Sequence, residues 1–528
     1  MYLLVIALVL VLALIAIRFS NKFGVPALLL FIVLGISFGL MGLDFSDYNL
    51  AADFSSMALM VIMFYGGFGT NWNMGKPVAK ESIILSSLGV VTTALLTGVF
   101  CRFVLGFSLF EGMLLGSVVG STDYASVSNI LRSKNLNLKY STAPLLELES
   151  GSNDPTAFTM TMIFLSLLKG SNLSVPLMIF KQVAFGIGVG FLCAWVVVKL
   201  INKIHFDEDG LFTVFIAAAI IFCYAITDVL GGNGYLALYI LGIYLGNQQF
   251  HGKREMVFFF DGLKGIMQIG LFFLLGLLSD YSALLKNFPI ALYIMIFMTI
   301  IARPVSVFGL MYPFKLHKNQ LWTVSLAGLR GAAAIAFAIM VVNSGVPLSS
   351  DIFHIVFGIC LLSSLIQGSL MAPASKAWRM VDPNDTVLKT FNDYQDKSDL
   401  GFIQTRIHDD SPWVGIQVKE LNLRFPIIIA KIERRGKTIV PRGDTVINSG
   451  DIIVLGGETH FDSTGHNLTE FTIGKKHEWI DRSIVDLKMP EDQLIIMLQR
   501  TNCDIIVPDG NTVLKAGDKL VMLQSDHK

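Results

Sequence analysis

An acidic cluster opens a strongly apolar stretch of the chain, where residues 145–158 read LLELESGSNDPTAF and continue as TMTMIFLSLL. Glu147, Glu149 and Asp154 fall within eight positions. A carboxylate in lipid is costly and rare, so a cluster of them indicates a functional site by default. The structural alternative for Glu147 is a place at the membrane interface. Asp154 is the strongest candidate, because an Asn-Asp-Pro within a span has no packing purpose.

Helical spacing groups the polar residues of this stretch. Glu149 and Asn153 are four residues apart and share one helical face, with Ser150 roughly on it and Asp154 beside it. Pro155 removes a backbone donor and so frees a carbonyl one turn earlier to accept a hydrogen bond or coordinate a cation.

Three other apolar stretches carry polar side chains. Asp123 lies in GSTDYASVS, Arg303 in ARPVSVF and Arg330 in AGLRGAAAIA. Each has a structural alternative, in which Asp123 caps a helix and the two arginines are counter-ions of Glu149 or Asp154, since charges within a membrane usually pair.

The composition divides the chain in two. The 528 residues are 53% hydrophobic and 15% charged, against about 25% charged in soluble domains. Residues 1–380 carry 17 acidic and 22 basic side chains, whereas 381–528 carry 23 and 18. The first part is predicted to be a membrane domain and the second a soluble one. The balanced net charge gives no indication of nucleic acid binding, and the five scattered cysteines suggest neither a disulfide framework nor a zinc site.

A span needs about 20 apolar residues, and hydropathy predicts about thirteen of them. The first is read as a retained span and not as a signal peptide, because it lacks a basic n-region and a cleavage site. The predicted spans lie near 2–19, 25–43, 55–70, 82–106, 111–131, 142–168, 175–201, 211–230, 234–250, 262–280, 287–311, 319–342 and 352–375.

The basic residues between the spans predict the orientation. With the N-terminus outside, 16 lysines and arginines fall in cytoplasmic connections and 4 on the opposite side. The positive-inside rule therefore predicts a multi-pass protein of the cell inner (plasma) membrane whose C-terminal tail is cytoplasmic.

The tail contains an internal sequence repeat. IVPRGDTVINSGDIIVL (439–455) and IVPDGNTVLKAGDKLVML (506–523) align at an offset of 67 residues, and alternating apolar residues between Gly-Asp turns predict strands. No G-x-G-x-x-G follows a strand, and GIGVG (186–190) is read as close helix packing, so a Rossmann nucleotide site is not supported. The predicted division is an exchange domain at 1–380, a linker at 381–398, and two small α/β lobes at 399–458 and 470–528.

Broken helices that point at a midplane site are typical of secondary transporters. The predicted spans five and twelve are interrupted by glycines, and the carboxylates lie between them in span six. The sequence contains neither the TVGYG filter of potassium channels nor the HExxH motif of metalloproteases. An intramembrane aspartyl protease, in which Asp123 and Asp154 would share a proton, is the alternative from a different class.

At these residues the chain resembles the monovalent cation–proton antiporter family, in its NhaP-like branch. The motifs that carry the resemblance are STD (121–123), ELESGSNDP (147–155), ARPVSVF (302–308) and GLRGA (328–332). The two tail repeats resemble the RCK_C (TrkA-C-like) lobes that accompany potassium/proton antiporters of the cell-volume-regulation type. The chain departs from the family pattern at Tyr124 and at AAA (332–334), where members often have proline.

The resemblance implies an α-helical polytopic fold of about thirteen transmembrane helices, with inverted repeats and two broken crossing helices. It also implies roles for eight residues. Asp154 carries the proton or the cation. Thr122 through its carbonyl, Asp123 and Ser150 are further cation ligands, with Glu149 acting through water. Asn153 and a Glu149–Arg330 pair hold the site together, with Arg303 nearby.

The implied activity is transport and not enzyme catalysis. Cytoplasmic K⁺, with Rb⁺ or Na⁺ as further candidates, exchanges for H⁺ by alternating access, and a Na⁺/H⁺ antiporter is the alternative. Asn153, where related antiporters carry a second Asp, favours electroneutral exchange. No cofactor is implied; the expected partners are the lipid bilayer, a second copy in a homodimer and a regulatory ligand of the tail, for which a nucleotide is a candidate.

Overall fold

The chain forms two compact units, Met1–Asp396 and Lys397–Lys528. The predicted linker lies outside the described residues from position 383 onward. The computed structural model describes residues 2–23, 27–43, 45, 47–70, 72–134, 136–170, 174–201, 203, 209–248, 250, 253–382, 400–408, 411–421, 428–434, 437–439, 441–458, 468–474, 477, 479–487, 489, 493–500, 505–506, 508 and 510–524.

The described regular elements of the first unit are helices, apart from an isolated β-bridge between Leu138 and Val381. Its α-helices are α1 (Tyr2–Phe23), α2 (Ala27–Leu40), α3 (Tyr48–Phe68), α4 (Trp72–Gly75), α5 (Ala79–Ile84), α6 (Val90–Val104), α7 (Leu109–Val118), α8 (Tyr124–Ser133), α9 (Thr142–Leu168), α10 (Val175–Ile201), α11 (Asp209–Val229), α12 (Gly234–Gly246), α13 (Lys253–Leu277), α14 (Tyr281–Phe297), α15 (Arg303–Met311), α16 (Lys318–Leu326), α17 (Ala332–Asn343), α18 (Ile352–Leu362) and α19 (Gly368–Ala377). Short 3₁₀ or π turns join consecutive helices at Lys76–Val78, Leu85–Gly89, Met298–Ala302 and Ser363–Gln367, and a further 3₁₀ turn follows α15 at Tyr312–Phe314.

These helices fall into the predicted succession of spans. Seven segments of the described chain are long and apolar enough to cross a membrane, and five shorter apolar helices accompany them. The third span begins at Tyr48, earlier than predicted, because Asp47 accepts hydrogen bonds from the amides of Asn49 and Leu50 and caps the helix. Its polar first turns lower the hydropathy without interrupting the helix.

The two predicted interruptions are confirmed. Span five consists of α7 and α8, separated by residues 119–123, and span twelve of α16 and α17, separated by 327–331. Span six, by contrast, continues as the single helix α9 across Pro155.

Small residues let the helices approach closely, as is common in membranes. Gly67 and Gly242 each face backbone of the opposite helix where α3 meets α12. The predicted packing role of GIGVG is also confirmed, since a Cβ on Gly190 would lie 2.8 Å from the carbonyl oxygen of Ala237 in α12.

The second unit contains two similar antiparallel sheets. The first comprises β1 (Leu400–Arg406), β2 (Ile428–Arg434), β3 (Lys437–Ile439) and β4 (Ile452–Glu458), in the order β1-β4-β2-β3. The second comprises β5 (Leu468–Thr472), β6 (Gln493–Gln499), β7 (Ile505–Ile506) and β8 (Lys519–Gln524), in the order β5-β8-β6-β7. The equal strand order and a bulge in both β2 and β6 confirm the repeat, although Val440 and Val507 of the repeated motif lie outside the described residues.

Candidate functional site

Asp154 is buried, with 6% of its surface exposed, and it faces the interruption of span five. The Ser121 hydroxyl donates a hydrogen bond to its Oδ1 atom. Within the described chain, Asp154 forms no ion pair with a lysine, arginine or histidine. A carboxylate is thus held in the interior of the helical unit by a neutral hydroxyl.

The turn of α9 that comes just before Asp154 is hydrogen-bonded to the interruption of span five and so holds Asp154 beside it. Ser150 Oγ donates to the Thr122 carbonyl oxygen at 2.8 Å, and Asn153 Nδ2 donates to Thr122 Oγ1 at 2.6 Å. The Tyr124 amide donates to Ser150 Oγ at 2.9 Å. A proline at 124 would lack that amide, so the departure from the family pattern adds a contact between the two spans.

Charged groups neutralise the two helix ends at this interruption. Arg330 donates from Nη1 to the carbonyl oxygens of Gly120 and Ser121, at 2.8 and 2.7 Å, beyond the C-terminal end of α7. Asp123 accepts from the Ser126 hydroxyl and amide, at 2.6 and 3.3 Å, and caps α8. A cation at a helix C-terminus and an anion at an N-terminus both oppose the helix dipole.

The two interrupted spans also contact each other directly. The Asp123 amide donates to the Leu329 carbonyl oxygen at 2.8 Å, and Gly331 lies directly against the Asp123 side chain. The predicted meeting of spans five, six and twelve is therefore present in the fold.

The predicted Glu149–Arg330 pair is wrong in its partner. The Glu149 Oε1 atom pairs with Arg303 Nη2, and both side chains are buried. Helix α15 presents Arg303 to α9, whereas the Arg330 guanidinium is taken up by the carbonyl groups of span five. The sequence placed both arginines near the site but could not rank them.

A second polar network, which was not predicted from the sequence, extends along α9 away from Asp154. Asn233 Nδ2 donates to the Pro155 carbonyl oxygen at 2.8 Å and to Thr159 Oγ1 at 3.1 Å. Thr159 Oγ1 in turn donates to Gln182 Oε1 at 2.8 Å. The available signal was Asn233 within GGNG, at the interruption between two apolar spans.

The oxygen atoms at this position suit a hard monovalent cation, which prefers carboxylate, carbonyl and hydroxyl ligands. Asp154 supplies the carboxylate and Ser121 and Thr122 supply hydroxyls. Asn153 Oδ1 is buried, and the described residues offer it no hydrogen-bond partner, so it is an additional acceptor. The transport role of Asp154 and the ligand roles of Thr122, Asp123, Ser150 and Glu149 stay predictions.

Two interrupted helices beside a buried carboxylate define the class of secondary transporters. The chain belongs to the sodium/hydrogen exchanger family, whose transmembrane domain matches residues 7–377. Residues 402–460 and 468–526 each match the TrkA-C domain.

Curated relatives agree with this family. The K(+)/H(+) antiporter NhaP2 of Shewanella sp. (strain MR-4) is 30% identical over 433 residues, covering 80% of this chain and 75% of that protein. The protein of the same name in Shewanella sp. (strain ANA-3) is 34% identical over 366 residues, covering 68% of this chain and 63% of that protein. The chain therefore spans less than two thirds of the length of the second relative.

A solved structure shares the fold. The sodium proton antiporter MjNhaP1 from Methanocaldococcus jannaschii, determined at pH 8, superposes with a TM-score of 0.63 at 23% identity, covering 69% of this chain and 98% of that one. The predicted fold class, a polytopic helical transporter with two interrupted helices and a two-lobed tail, is confirmed.

Proposed function

We propose that this protein is a secondary antiporter that exchanges K⁺ for H⁺ across the bilayer. The observation that carries the proposal is Asp154, a buried carboxylate at the meeting point of two interrupted spans whose hydrogen bond comes from a neutral serine. Relatives named K(+)/H(+) antiporters support K⁺ as the cation. The alternative cation is Na⁺, supported by a relative at 27% identity named "Probable Na(+)/H(+) antiporter 2".

The proposed mechanism is alternating access with one site. Asp154 binds either a proton or a cation, and competition for its carboxylate couples the two fluxes. Asn153 is neutral, so one positive charge moves each way and exchange is electroneutral. Spans 4–6 and 11–13 move as a body against the remaining spans, which form a homodimer, and the tail regulates exchange through a small ligand.

The cation is tested with purified full-length protein in liposomes that contain an internal pH dye. Addition of K⁺ is expected to dequench the dye, with Rb⁺ as a second substrate, because the cation displaces a proton from Asp154. A response to Na⁺ alone would overturn the K⁺ assignment.

The carrier is tested with a matched pair of variants in the same assay. Asp154→Asn keeps the shape of the side chain but can neither release a proton nor offer a negative charge, so exchange is expected to vanish at every pH and cation concentration. Asp123→Asn keeps an oxygen that can cap α8, so it is expected to retain exchange with a raised apparent KM for the cation. Activity in Asp154→Asn together with none in Asp123→Asn would move the carrier to span five.

A further inference from the structure

A basic cavity lies at one end of the membrane unit, away from Asp154. Its volume is about 440 Å³. Three cationic side chains line it, Lys139, Lys318 and Arg379, and its remaining lining residues are Tyr140, His317, Asn319, Trp378 and Met380. The described lining residues thus combine positive charge with aromatic rings and include no carboxylate.

Three separate connections of the chain build this cavity. Lys139 and Tyr140 precede α9, His317 and Lys318 begin α16, and Arg379 follows α19. All three connections lie on the predicted cytoplasmic side. The cytoplasmic leaflet carries the anionic lipids, and basic pockets there attract phosphate headgroups.

Backbone and side-chain contacts hold the walls together. The Lys139 amide donates to the Met380 carbonyl oxygen at 2.8 Å, and Asn319 Nδ2 donates to the Trp378 carbonyl oxygen at 2.9 Å. The rings of Tyr140 and His317 lie against each other in a tilted arrangement, with centroids 4.2 Å apart. The cavity is therefore preformed, which lowers the entropic cost of binding.

The backbone around the cavity is strained. Five described non-glycine residues have positive φ, and four of them line the cavity or flank it: Tyr140, Ser141, Lys315 and Arg379. Such conformations are unfavourable for non-glycine residues and cluster at ligand sites. Two of the four, Tyr140 and Arg379, belong to the cavity lining itself.

The charges of the cavity are available to a ligand. Among the described residues, the ion pairs include none of Lys139, Lys318 and Arg379. The nine-residue helix α16 begins at the cavity, and its N-cap His317 makes no side-chain capping bond. The positive end of that helix adds to the attraction for an anion.

We propose that this cavity binds a phosphate-bearing anion, either an anionic phospholipid headgroup or a soluble phosphate compound. The cations and the helix N-terminus contact the phosphate, and Tyr140 and Trp378 pack against the rest of the ligand. Bound there, the ligand bridges the connections next to both interrupted spans.

The test uses native mass spectrometry of the full-length protein in detergent, with three probes: short-chain phosphatidylglycerol, short-chain phosphatidylcholine and inorganic phosphate. The variant Lys139→Gln/Lys318→Gln/Arg379→Gln removes the cavity cations. The matched control Lys169→Gln/Lys181→Gln/Lys286→Gln removes the same charge from exposed residues on the predicted opposite side.

Wild type and control are expected to bind phosphatidylglycerol more tightly than phosphatidylcholine. Removal of each cavity cation is expected to weaken binding about fivefold, on the order of a hundredfold for all three. If inorganic phosphate displaces the lipid from wild type but has no such effect in the cavity variant, the site accepts soluble phosphate as well; if it never displaces the lipid, the headgroup is the ligand.

Two results would overturn the proposal: equal binding of phosphatidylglycerol by wild type and the cavity variant, or an equal loss in both triple variants. The substituted side chains are exposed or half-buried, and size-exclusion chromatography checks the fold. Should the triple variant aggregate, the single variants Lys318→Gln and Arg379→Gln are compared with Lys286→Gln by the same criteria.

Discussion

Three of the buried ionisable side chains at the site, Glu149, Arg303 and Arg330, have partners that compensate their charge. Arg303 faces Glu149, and Arg330 faces the carbonyl oxygens of residues 120 and 121. Asp154 is instead held by Ser121. A carrier has to exchange its counter-ion, and Asp123, although it is also held by neutral groups, is engaged as the cap of α8. Asp154 is therefore the carboxylate better suited to bind protons and cations in turn.

The Arg303 pairing is testable by a double-mutant cycle. Glu149→Gln leaves a buried guanidinium without its carboxylate, which is expected to cost about 3–5 kcal/mol of stability. Adding Arg303→Gln is expected to restore part of that loss, measured as thermal stability of the detergent-solubilised protein. Arg330→Gln is the matched control and should show weaker coupling to Glu149→Gln. Stronger coupling to Arg330 would reinstate the pairing predicted from sequence.

Each of the two tail lobes contains an arginine–aspartate ion pair at the equivalent place of its sheet. Arg434 pairs with the buried Asp451 at 2.7 Å and Arg500 with Asp518 at 3.5 Å. Each arginine also donates to a backbone carbonyl, that of Val446 or Val513. The repeat therefore extends from sequence to individual side-chain contacts.

The Arg434–Asp451 pair predicts that the stability of the first lobe decreases in acid. The hydrogen bond from Arg434 lowers the pKa of Asp451 below its ordinary value. The pair therefore stabilises the lobe fully above the ordinary Asp pKa of about 3.9 and loses that contribution as the pH falls through the lower folded-state pKa. Calorimetry of the full-length protein should show the tail transition unchanged from pH 7 to about pH 5 and falling below about pH 4.

Asp451→Asn is the control for this effect. It is expected to destabilise the tail by about 1–3 kcal/mol at pH 7, because it weakens a buried charge-assisted contact. The difference from wild type should shrink as the pH falls toward 3. A difference that is constant across this range would contradict the linkage.

The interruption of two helices leaves backbone carbonyl and amide groups at the site free to bond outside their own helix. Helices α7, α8, α16 and α17 end or begin at residues 118, 124, 326 and 332, and the carbonyl and amide groups between them bind Arg330, Ser150 and each other. An uninterrupted helix would use these groups within its own ladder. Interrupted helices at membrane depth are tolerated only because they are buried in protein.

Gly331 tests the contact between the interruptions. A Cβ at this position would collide with the Asp123 side chain, so Gly331→Ala is expected to cost about 1–3 kcal/mol and to impair exchange by displacing the cap of α8. Gly188→Ala is the matched control, because no atom lies within 4 Å of the Cβ it would add. Thermal stability and liposome exchange measure both variants. Equal behaviour of the two would show that spans five and twelve do not pack as described.

Two units with different composition make up the whole molecule. The membrane unit contains the residues that match the sodium/hydrogen exchanger domain, and the second unit contains those that match the TrkA-C domain. Asp154, the proposed carrier, and the residues that contact it through the bonds described above belong to the first unit. A regulatory role for the second unit is consistent with this separation.

Deletion of residues 386–528 tests that role. The truncated protein is expected to insert and to exchange cations for protons with an altered pH or ligand dependence, because the site lies wholly in the first unit. Liposome exchange is compared with full-length protein, and truncated Asp154→Asn serves as the inactive control. A monodisperse truncated protein with no exchange under any condition would make the tail part of the mechanism.

The sequence by itself determined the class, the succession of spans, both interruptions and the tail repeat. Each of these features is predicted by residues that are neighbours along the chain. Hydropathy over about 20 positions predicts the spans, Gly, Ser and Thr around Asp123 and Arg330 predict the interruptions, and two copies of a strand-turn motif predict the tail repeat. Asp154 was identified for the same reason, since its cost in an apolar segment is visible locally.

Only the tertiary structure decided which distant groups meet. Arg303 and Arg330 are alike in sequence, and only the folded chain brings the Arg303 guanidinium to Glu149, 154 positions away. The contact of Asn233 with Pro155, and the approach of Lys139 to Lys318 and Arg379, join segments that are far apart in the chain. Short-range periodicity fixes which face of a helix is polar, whereas the packing of whole helices fixes what that face touches.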